Sequence, residues 1–130
     1  MVATTSNPDA PAPGLQDLDT VFKGFAHPTR IRILNLLAAG ELCVCDLVDI
    51  LELPQPAVSR HLAHLSTVSL VAVRRDSSFA HYRFADPKGD LHRNIIACVK
   101  GCFGGIKSLD AERQLAVARI KDRQGEPIHD

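Results

Sequence analysis

The sequence predicts a mainly α-helical domain that contains a single β-hairpin. Apolar residues recur at helical spacing between residues 15 and 66. From residue 68 the pattern changes to two short stretches rich in Val, Phe and Tyr, "SLVAVRRD" and "FAHYRF", which two serines separate as in a hairpin. With 130 residues, of which 45% are hydrophobic, the chain has enough apolar material for one domain with a modest core.

Four helices are expected before the hairpin. The first covers residues 15–25, and the second runs from Pro28, a residue suited to the first turn of a helix, to a stop at Gly40. The third is short and covers about residues 45–52. "LPQP" then interrupts the chain, because proline favours extended or first-turn conformations, and the fourth helix covers about residues 55–66.

Two further helices are expected after the hairpin. "DPKGD" is a turn, and the apolar helix "LHRNIIACVKGCF" follows it until Gly104. Ser108, with acidic residues in the next turn, is expected to cap a last helix that ends near residue 121. The chain is accordingly divided into a disordered N-terminal tail at 1–14, a folded domain at 15–122 and a C-terminal tail at 123–130.

The composition predicts a cytoplasmic protein that does not enter a membrane. The first residues lack the basic start and apolar stretch of a signal peptide, and no apolar run approaches the roughly 20 residues of a membrane helix. In the cytoplasm, four cysteines predict metal binding or redox sensing rather than disulfides. The chain has 15 basic and 15 acidic residues, so its net charge favours no particular partner. Within residues 54–84, however, arginines outnumber acidic residues, and this local excess indicates nucleic acid as a partner.

The element order is that of a winged helix-turn-helix. In this arrangement the second of two short helices enters the major groove of double-stranded DNA, and the hairpin contacts the flanking backbone. "PQPAVSRHL" places Gln55, Ser59 and Arg60 near the start of that recognition helix. Gln can pair with adenine and Arg with guanine, while Ser suits bases or phosphate.

The remaining candidate DNA contacts lie beside these three residues and in the hairpin. His61 follows Arg60 and is expected close to the DNA, while Arg74, Arg75 and Arg83 are candidate phosphate contacts of the hairpin. The opposite face of the recognition helix is apolar and should hold it to the core. Its residues are Val58, Leu62 and Leu65.

The stretch "FKGFAHPTRIRILNLLAAGELCVCDLVDILELPQPAVSRHLAHL" resembles the ArsR/SmtB metalloregulators. The resemblance extends over about residues 18–105, and its most specific pieces are "HPTRIRIL", "ELCVCDL" and "QPAVSRHL". It implies a homodimeric repressor, not an enzyme, that releases operator DNA when it binds a metal or metalloid. The form "ELCVCDL" further implies the arsenic-responsive branch, in which thiolates at the start of the third helix bind As(III) or Sb(III).

The resemblance assigns Cys43 and Cys45 to the metalloid and leaves Cys98 and Cys102 as the other candidate ligands. As(III) typically takes three thiolates, and Val48 stands where the resembled site has its third thiol. Two arrangements remain open. Either the two cysteine pairs combine in one site, within a subunit or across the dimer, or an exogenous thiol or water completes the first pair.

The chain also departs from the resembled pattern at two other positions. His27 stands where an Asp is more usual, and Ser69 stands where Gly often makes the turn into the hairpin. These differences leave the implied fold intact but make the DNA sequence preference less transferable.

The spacing of the cysteines separates the two pairs geometrically. Cys98 and Cys102 are four residues apart on a helix, so they share a face with Cβ atoms about 5–6 Å apart. Cys43 and Cys45 are two apart, about 200° around a helix, so they meet on one ion only if the first turn unwinds or Cys43 lies outside the helix. We therefore expect ion binding to strain the start of the third helix, and "LELPQP" to pass that strain to the recognition helix.

There are four alternatives to this interpretation. A sensor of Zn(II) would use Asp90 and His92, but Phe103 and Ile106 stand where the second half of that family site needs ligands. A Cd(II), Pb(II) or Zn(II) sensor and a thiol redox switch at the first cysteine pair both keep the DNA-binding fold. A thiol enzyme with a Cys-x5-Arg phosphate loop is excluded, because no arginine stands six residues after any cysteine.

Overall fold

The structure, a computed structural model, describes residues 14–125. This part of the chain contains six helices and three strands, and no helix in it is long and apolar enough to cross a membrane. The elements are α1 (Leu15–Phe25), α2 (Pro28–Leu37), β1 (Leu42–Cys43), α3 (Val44–Leu51), α4 (Gln55–Thr67), β2 (Val71–Asp76), β3 (Phe79–Phe84), α5 (Asp90–Cys102) and α6 (Lys107–Gly125).

The sheet contains the predicted hairpin and one strand that the sequence did not reveal. β2 and β3 are antiparallel, and the two serines form the turn between them. β1 pairs with the other edge of β3, so the strand order is β1–β3–β2. Leu42 lies opposite Tyr82 and Cys43 lies opposite His81. A strand of two residues has no period to detect, and it exists only because β3 supplies its partner groups.

The core lies where α2, α3 and α4 meet the sheet and α6. The apolar face of α4 is completely buried, with Val58, Leu62 and Leu65 each 0% exposed, and this confirms the predicted inner face of the recognition helix. Each such side chain stabilises the fold by about 1.5–3 kcal/mol through removal of apolar surface from water. The outer face of α4 is thereby fixed toward solvent.

A buried asparagine holds α6 against α2. Asn35 is 1% exposed. Its Nδ2 donates to the Leu109 carbonyl at 2.8 Å, and its Oδ1 accepts from Arg113 Nε and Nη2 at 3.0 and 2.7 Å. Arg32 adds hydrogen bonds from Nε and Nη2 to the Glu112 carboxylate. Because these polar groups are satisfied only in one alignment, they fix the register of α6 on α2.

The start of α6 differs from the prediction. The helix begins at Lys107, so Ser108 lies within its first turn and is not the N-terminal cap. The Asp110 carboxylate instead accepts a hydrogen bond from the Gly105 N–H at 3.1 Å. Satisfying a free N–H in front of a helix is the role that a capping side chain performs, so an acidic residue inside the helix replaces the predicted serine.

The end of α6 also differs from the prediction. The helix continues to Gly125, so Arg123 belongs to α6 and not to a C-terminal tail that begins at that residue. The rest of that tail, residues 126–130, lies outside the described residues, as does the predicted N-terminal tail apart from Gly14.

The turn from α4 into the hairpin passes through a serine in a left-handed conformation. Ser69 has φ 63°, and the Leu70 N–H donates to the Leu65 carbonyl at 3.0 Å behind it. Glycine tolerates this conformation without cost, whereas a side chain there costs of order 1–2 kcal/mol. Ser69 therefore makes the same turn that Gly more often makes at this position, but with backbone strain.

Candidate functional site

Cys43 lies at the junction of the sheet and the helix-turn-helix. It is the last residue of β1 and the N-cap of α3, with extended backbone (φ −70°, ψ 151°) and 2% exposure. Its Sγ accepts a hydrogen bond from the Cys45 N–H at 3.4 Å. A thiol here takes the place of the oxygen that usually satisfies the first N–H groups of a helix.

Because Cys43 lies outside α3, the two sulfurs meet without any change in the helix. Cys45 Sγ and Cys43 Sγ are 2.7 Å apart. This is the second of the two geometries that the spacing allowed. The expectation that closing the pair strains the start of α3 is therefore wrong, because the structure already brings the sulfurs together. We call Cys43 and Cys45 the α3 thiols.

The surroundings of the α3 thiols disfavour the thiolate. Burial, the hydrogen bond that Cys45 donates to Cys43 Sγ and the negative charges of Cys43 and Asp46 raise the pKa of Cys45 above its ordinary value of 9.0, while Arg123 lowers it. Cys45 is therefore a protonated thiol at neutral pH. The acidic neighbour Asp46 contributes to this shift, but burial contributes more.

Two arginines of α6 hold the carboxylate that follows Cys45. Asp46 is 2% exposed, and its Oδ1 accepts from Arg119 Nη1 at 3.0 Å and from Arg123 Nη2 at 2.8 Å. Arg119 also pairs with Asp49. Arg123 Nη2 lies 3.9 Å from Cys45 Sγ, so one guanidinium contacts both the carboxylate and the thiol. We call Arg119 and Arg123 the arginine clamp.

Sequence reasoning missed the arginine clamp. Its members lie 73 and 77 residues from Asp46 along the chain, and Arg123 falls in the stretch that was predicted to be a tail. The available signal was weak: Asp46 follows the cysteines within an apolar helix, and a buried carboxylate needs a cation from some other element. The sequence does not say which of the 15 basic residues supplies it.

An open groove of about 650 Å³ lies beside Cys45. The first turns of α3 and the arginine clamp form part of its wall. Gln55 at the start of α4 and Ser78 in the hairpin turn complete it, so the groove touches both elements that are predicted to contact DNA. Asp46 also lines the groove, and its Oδ2 is the one buried side-chain oxygen or nitrogen among the described residues that has no hydrogen-bond partner.

Cys98 and Cys102 form a separate, exposed pair on α5, which we call the α5 thiols. A hydrogen bond with Cys102 is the main cause that raises the pKa of Cys98, so the two thiols are in contact, as their spacing predicted. Within residues 14–125, no three His, Cys, Asp or Glu side chains converge as a set of metal ligands. The arrangement that combines the α3 thiols and the α5 thiols in one site is therefore not preformed within residues 14–125 of a protomer and stays a prediction.

The half-site considered for zinc is occupied by other contacts. His92 forms a hydrogen bond between Nε2 and the Val68 carbonyl at 2.9 Å, and Asp90 accepts from Arg93 Nη1 at 2.5 Å. The histidine therefore fastens the start of α5 to the end of α4.

The predicted DNA contacts on the recognition helix differ in how far they are exposed to solvent. Gln55 and Arg60 are exposed on α4, and Ser59 is half-buried. His61 is also half-buried, and its Nδ1 accepts from Arg30 Nε at 3.2 Å. Burial, followed by nearby positive charge, lowers the pKa of His61 below its ordinary 6.5. A neutral imidazole that accepts from α2 has a structural role, whereas Gln55 and Arg60 are free to face a ligand on the solvent side.

His27 caps α2 in place of the Asp that is more usual at this position. It is the N-cap of α2, and its Nδ1 accepts from the Thr29 N–H at 3.1 Å, as an Asp oxygen would. Its ring packs on His61 with centroids 4.4 Å apart. The substitution therefore retains the cap and adds a contact to the recognition helix.

The three arginines of the hairpin do not form one surface. Arg83 lies opposite Ala72, which shares a face of the sheet with Arg74, whereas Arg75 points to the other face. Arg74 forms an ion pair with Glu41 at 2.7 Å, and Arg83 Nη1 donates to the Phe84 carbonyl at 3.0 Å. Arg75 is exposed near the turn of the hairpin.

Comparison with known proteins places this arrangement in a family. A sequence profile described as "Bacterial regulatory protein, arsR family" matches residues 27–72. The arsenic resistance transcriptional regulator ArsR1 of Pseudomonas putida is 36% identical over 115 residues, which cover 83% of each chain. ArsR2 of the same organism is 44% identical over 111 residues, covering 85% of this chain and 91% of the relative.

Solved structures share the fold. HlyU from Vibrio cholerae matches with a TM-score of 0.59 and 28% identity, covering 68% of this chain and 92% of that chain. The homodimeric winged helix-turn-helix domain of Mb0332 from Mycobacterium bovis matches with a TM-score of 0.57, covering 88% and 90% of the two chains, and at 24% identity it supports the fold alone. The predicted winged helix-turn-helix and the predicted DNA-binding regulator, as opposed to an enzyme, are confirmed, and the chain belongs to the arsR family of bacterial regulatory proteins.

Proposed function

We propose that the protein is a cytoplasmic, homodimeric repressor that binds operator DNA and releases it when As(III) or Sb(III) binds the α3 thiols. One observation carries the proposal: two sulfurs lie 2.7 Å apart at the start of the first helix of the helix-turn-helix, where Cys43 is the N-cap. Thiolates favour soft ions. The similarity to arsenic resistance regulators of Pseudomonas putida supports the choice of metalloid.

The raised pKa of Cys45 favours a neutral oxyacid over a metal cation. A cation such as Cd(II) needs two thiolates, so it must release two protons against the raised pKa. Arsenous acid, As(OH)3, brings its own proton acceptors, because each displaced hydroxyl leaves as water with the proton of the thiol it replaces. The raised pKa of Cys45 therefore weakens binding of Cd(II) or Zn(II) at neutral pH but imposes little penalty on As(III) or Sb(III).

The path from the α3 thiols to DNA is short. The groove beside Cys45 is lined by Gln55 of the recognition helix and Ser78 of the hairpin turn. A ligand bound at the thiols therefore lies next to both DNA-reading elements and lowers DNA affinity to the extent that it favours a non-binding arrangement of them. This route replaces the unwinding of α3 as the proposed coupling.

The proposed DNA interface consists of Gln55, Ser59 and Arg60 on α4, with Arg75 and Arg83 as backbone contacts of the hairpin. Arg74 contributes only after its guanidinium leaves Glu41, so we propose a weaker role for it. His61 supports the helix from behind and is proposed to affect DNA binding through the position of Arg60.

Operator binding by the four single Cys→Ser variants tests the proposal, with arsenite, antimonite, Cd(II), Zn(II) and peroxide as titrants. Cys43→Ser and Cys45→Ser should bind operator normally and no longer release it with arsenite. Cys98→Ser and Cys102→Ser are the matched controls, because they remove a thiol pair of the same size on another helix. Retention of the wild-type arsenite response by both α3 variants would refute the proposed switch.

The short sulfur–sulfur distance also favours a second candidate, a thiol redox switch. Two sulfurs 2.7 Å apart need little movement to form a disulfide when an oxidant is present. This candidate predicts operator release by peroxide without any metalloid, and the same titration distinguishes it.

A further inference from the structure

Asp46 carries an unsatisfied acceptor at the edge of the thiol site. The residue is 2% exposed, and both arginines of the clamp contact Oδ1 while Oδ2 has no donor. Buried carboxylate oxygens are normally satisfied, because an unpaired one loses its hydration without compensation. A donor from outside the chain would therefore be stabilised at this oxygen.

The position of Asp46 indicates where that donor belongs. Arg123 Nη2 contacts both Asp46 Oδ1 and Cys45 Sγ, so the carboxylate and the thiol are neighbours around one nitrogen. Asp46 and Cys45 also line the same groove. A group bound at the sulfurs and able to donate a hydrogen bond toward α3 is thus in the right region for Oδ2.

We infer that arsenous acid binds the α3 thiols with one hydroxyl retained, and that this hydroxyl donates its hydrogen bond to Asp46 Oδ2. As(OH)3 and two thiols give one As–OH group with two As–S bonds and two molecules of water, and arsenic stays in the trivalent state throughout. The third position of the metalloid is then an oxygen from the ligand. No cysteine replaces Val48, and none is required.

The inference rests on the proposed function and refines it into a rule for ligand choice. Trivalent oxyacids with three hydroxyls keep one after two thiols have reacted. An organoarsenical such as phenylarsine oxide, hydrated to C6H5As(OH)2, loses both hydroxyls to the thiols and retains only its carbon substituent. Asp46 should therefore distinguish arsenite from phenylarsine oxide, whereas the thiols alone do not.

Calorimetric titration of Asp46→Asn with both arsenicals tests the inference. Asparagine preserves the size of the side chain but changes one acceptor into a donor. A hydrogen bond to a charged acceptor corresponds to about a tenfold or greater change in affinity, so arsenite should bind at least about tenfold more weakly. Phenylarsine oxide should retain its affinity within about twofold. The matched control is Asp49→Asn, which removes another carboxylate paired with Arg119 and should change neither affinity.

The outcomes separate this inference from the proposed function. An equal loss for both arsenicals would mean that Asp46 acts only on the thiols or the fold, and no loss for either would mean that no hydroxyl is held; each result overturns the inference. Failure of the wild-type protein to bind either arsenical would instead overturn the proposed function. X-ray absorption of the wild-type arsenite complex needs no variant to fold: two sulfurs and one oxygen around arsenic are expected, and three sulfurs would refute the inference.

Discussion

Replacing Arg119 and Arg123 together by methionine should cost far more stability than the sum of the two single replacements. Methionine keeps most of the apolar stem and removes the guanidinium. After either single change, the other arginine still holds Asp46 Oδ1, at 3.0 or 2.8 Å. We expect each single variant to lose about 1 kcal/mol, since both arginines are partly exposed and their ion pairs are screened by solvent.

The double variant leaves the Asp46 carboxylate buried with no cation. Removing the partner of a buried charge costs about 3–5 kcal/mol, and the Asp46 side chain is only 2% exposed. The expected excess over additivity is therefore about 1–3 kcal/mol. Adding Asp46→Leu to the double variant should recover most of the loss, because the unpaired charge is then gone.

Urea unfolding followed by circular dichroism measures these differences, at one fixed protein concentration because the proposed dimerisation would contribute to stability. If the stability losses of the two single variants add up to the loss of the double variant, the arginine clamp is not the partner of a buried charge. A double variant that loses less than about 2 kcal/mol would refute this role equally, as would failure of Asp46→Leu to rescue.

Three further predictions concern other parts of the molecule. The pKa of His61 is lowered mainly by burial, so the folded protein binds fewer protons than the unfolded chain, and its stability should fall as the pH drops through 6.5. Urea midpoints measured at about pH 7.5 and about pH 5.5 should therefore differ less for His61→Phe than for the wild-type protein. A Cβ at Gly24 would lie 2.7 Å from Val68 Cγ1, so Gly24→Ala should lower the free energy of unfolding by about 1–3 kcal/mol. Val68→Ala should remove this clash, so the double variant should lose less stability than the two single variants together; losses that simply add would contradict the steric explanation. Arg75→Ala should make the slope of the logarithm of the operator binding constant against the logarithm of the salt concentration shallower by about 0.9. An unchanged slope would show that Arg75 does not contact the DNA backbone.

The fold followed from the sequence wherever a pattern was local. The helical period of the first four helices, the breaking effect of "LPQP" and the change of period at the hairpin each lie within a few residues, and the structure reproduces them. β1 was missed, because a strand of two residues depends on hydrogen bonds from β3. The cap of α6 was misassigned, because Ser108 and Asp110 both suit a helix start and only the structure shows which one the chain uses.

The candidate site was predictable only in part. The spacing of Cys43 and Cys45 limited their geometry to two possibilities, and the choice between them depended on β1, which holds Cys43 outside the helix. Arg119 and Arg123 reach the site through the packing of α6, which is fixed by a buried asparagine in α2. Charged residues on a helix usually face water, so the sequence could not mark these two as partners of Asp46.

The origin of the clamp in α6 has a consequence for how the protein can diverge. The segment 27–72 that carries the family likeness contains the α3 thiols and the recognition helix, whereas the arginines beside those thiols come from residues 107–125. On the proposed function, part of the inducer site is therefore encoded in a stretch of the chain that is separate from the recognition helix. Exchanging the C-terminal helix between relatives would then shift the detection threshold of an arsenic biosensor while its promoter stayed the same.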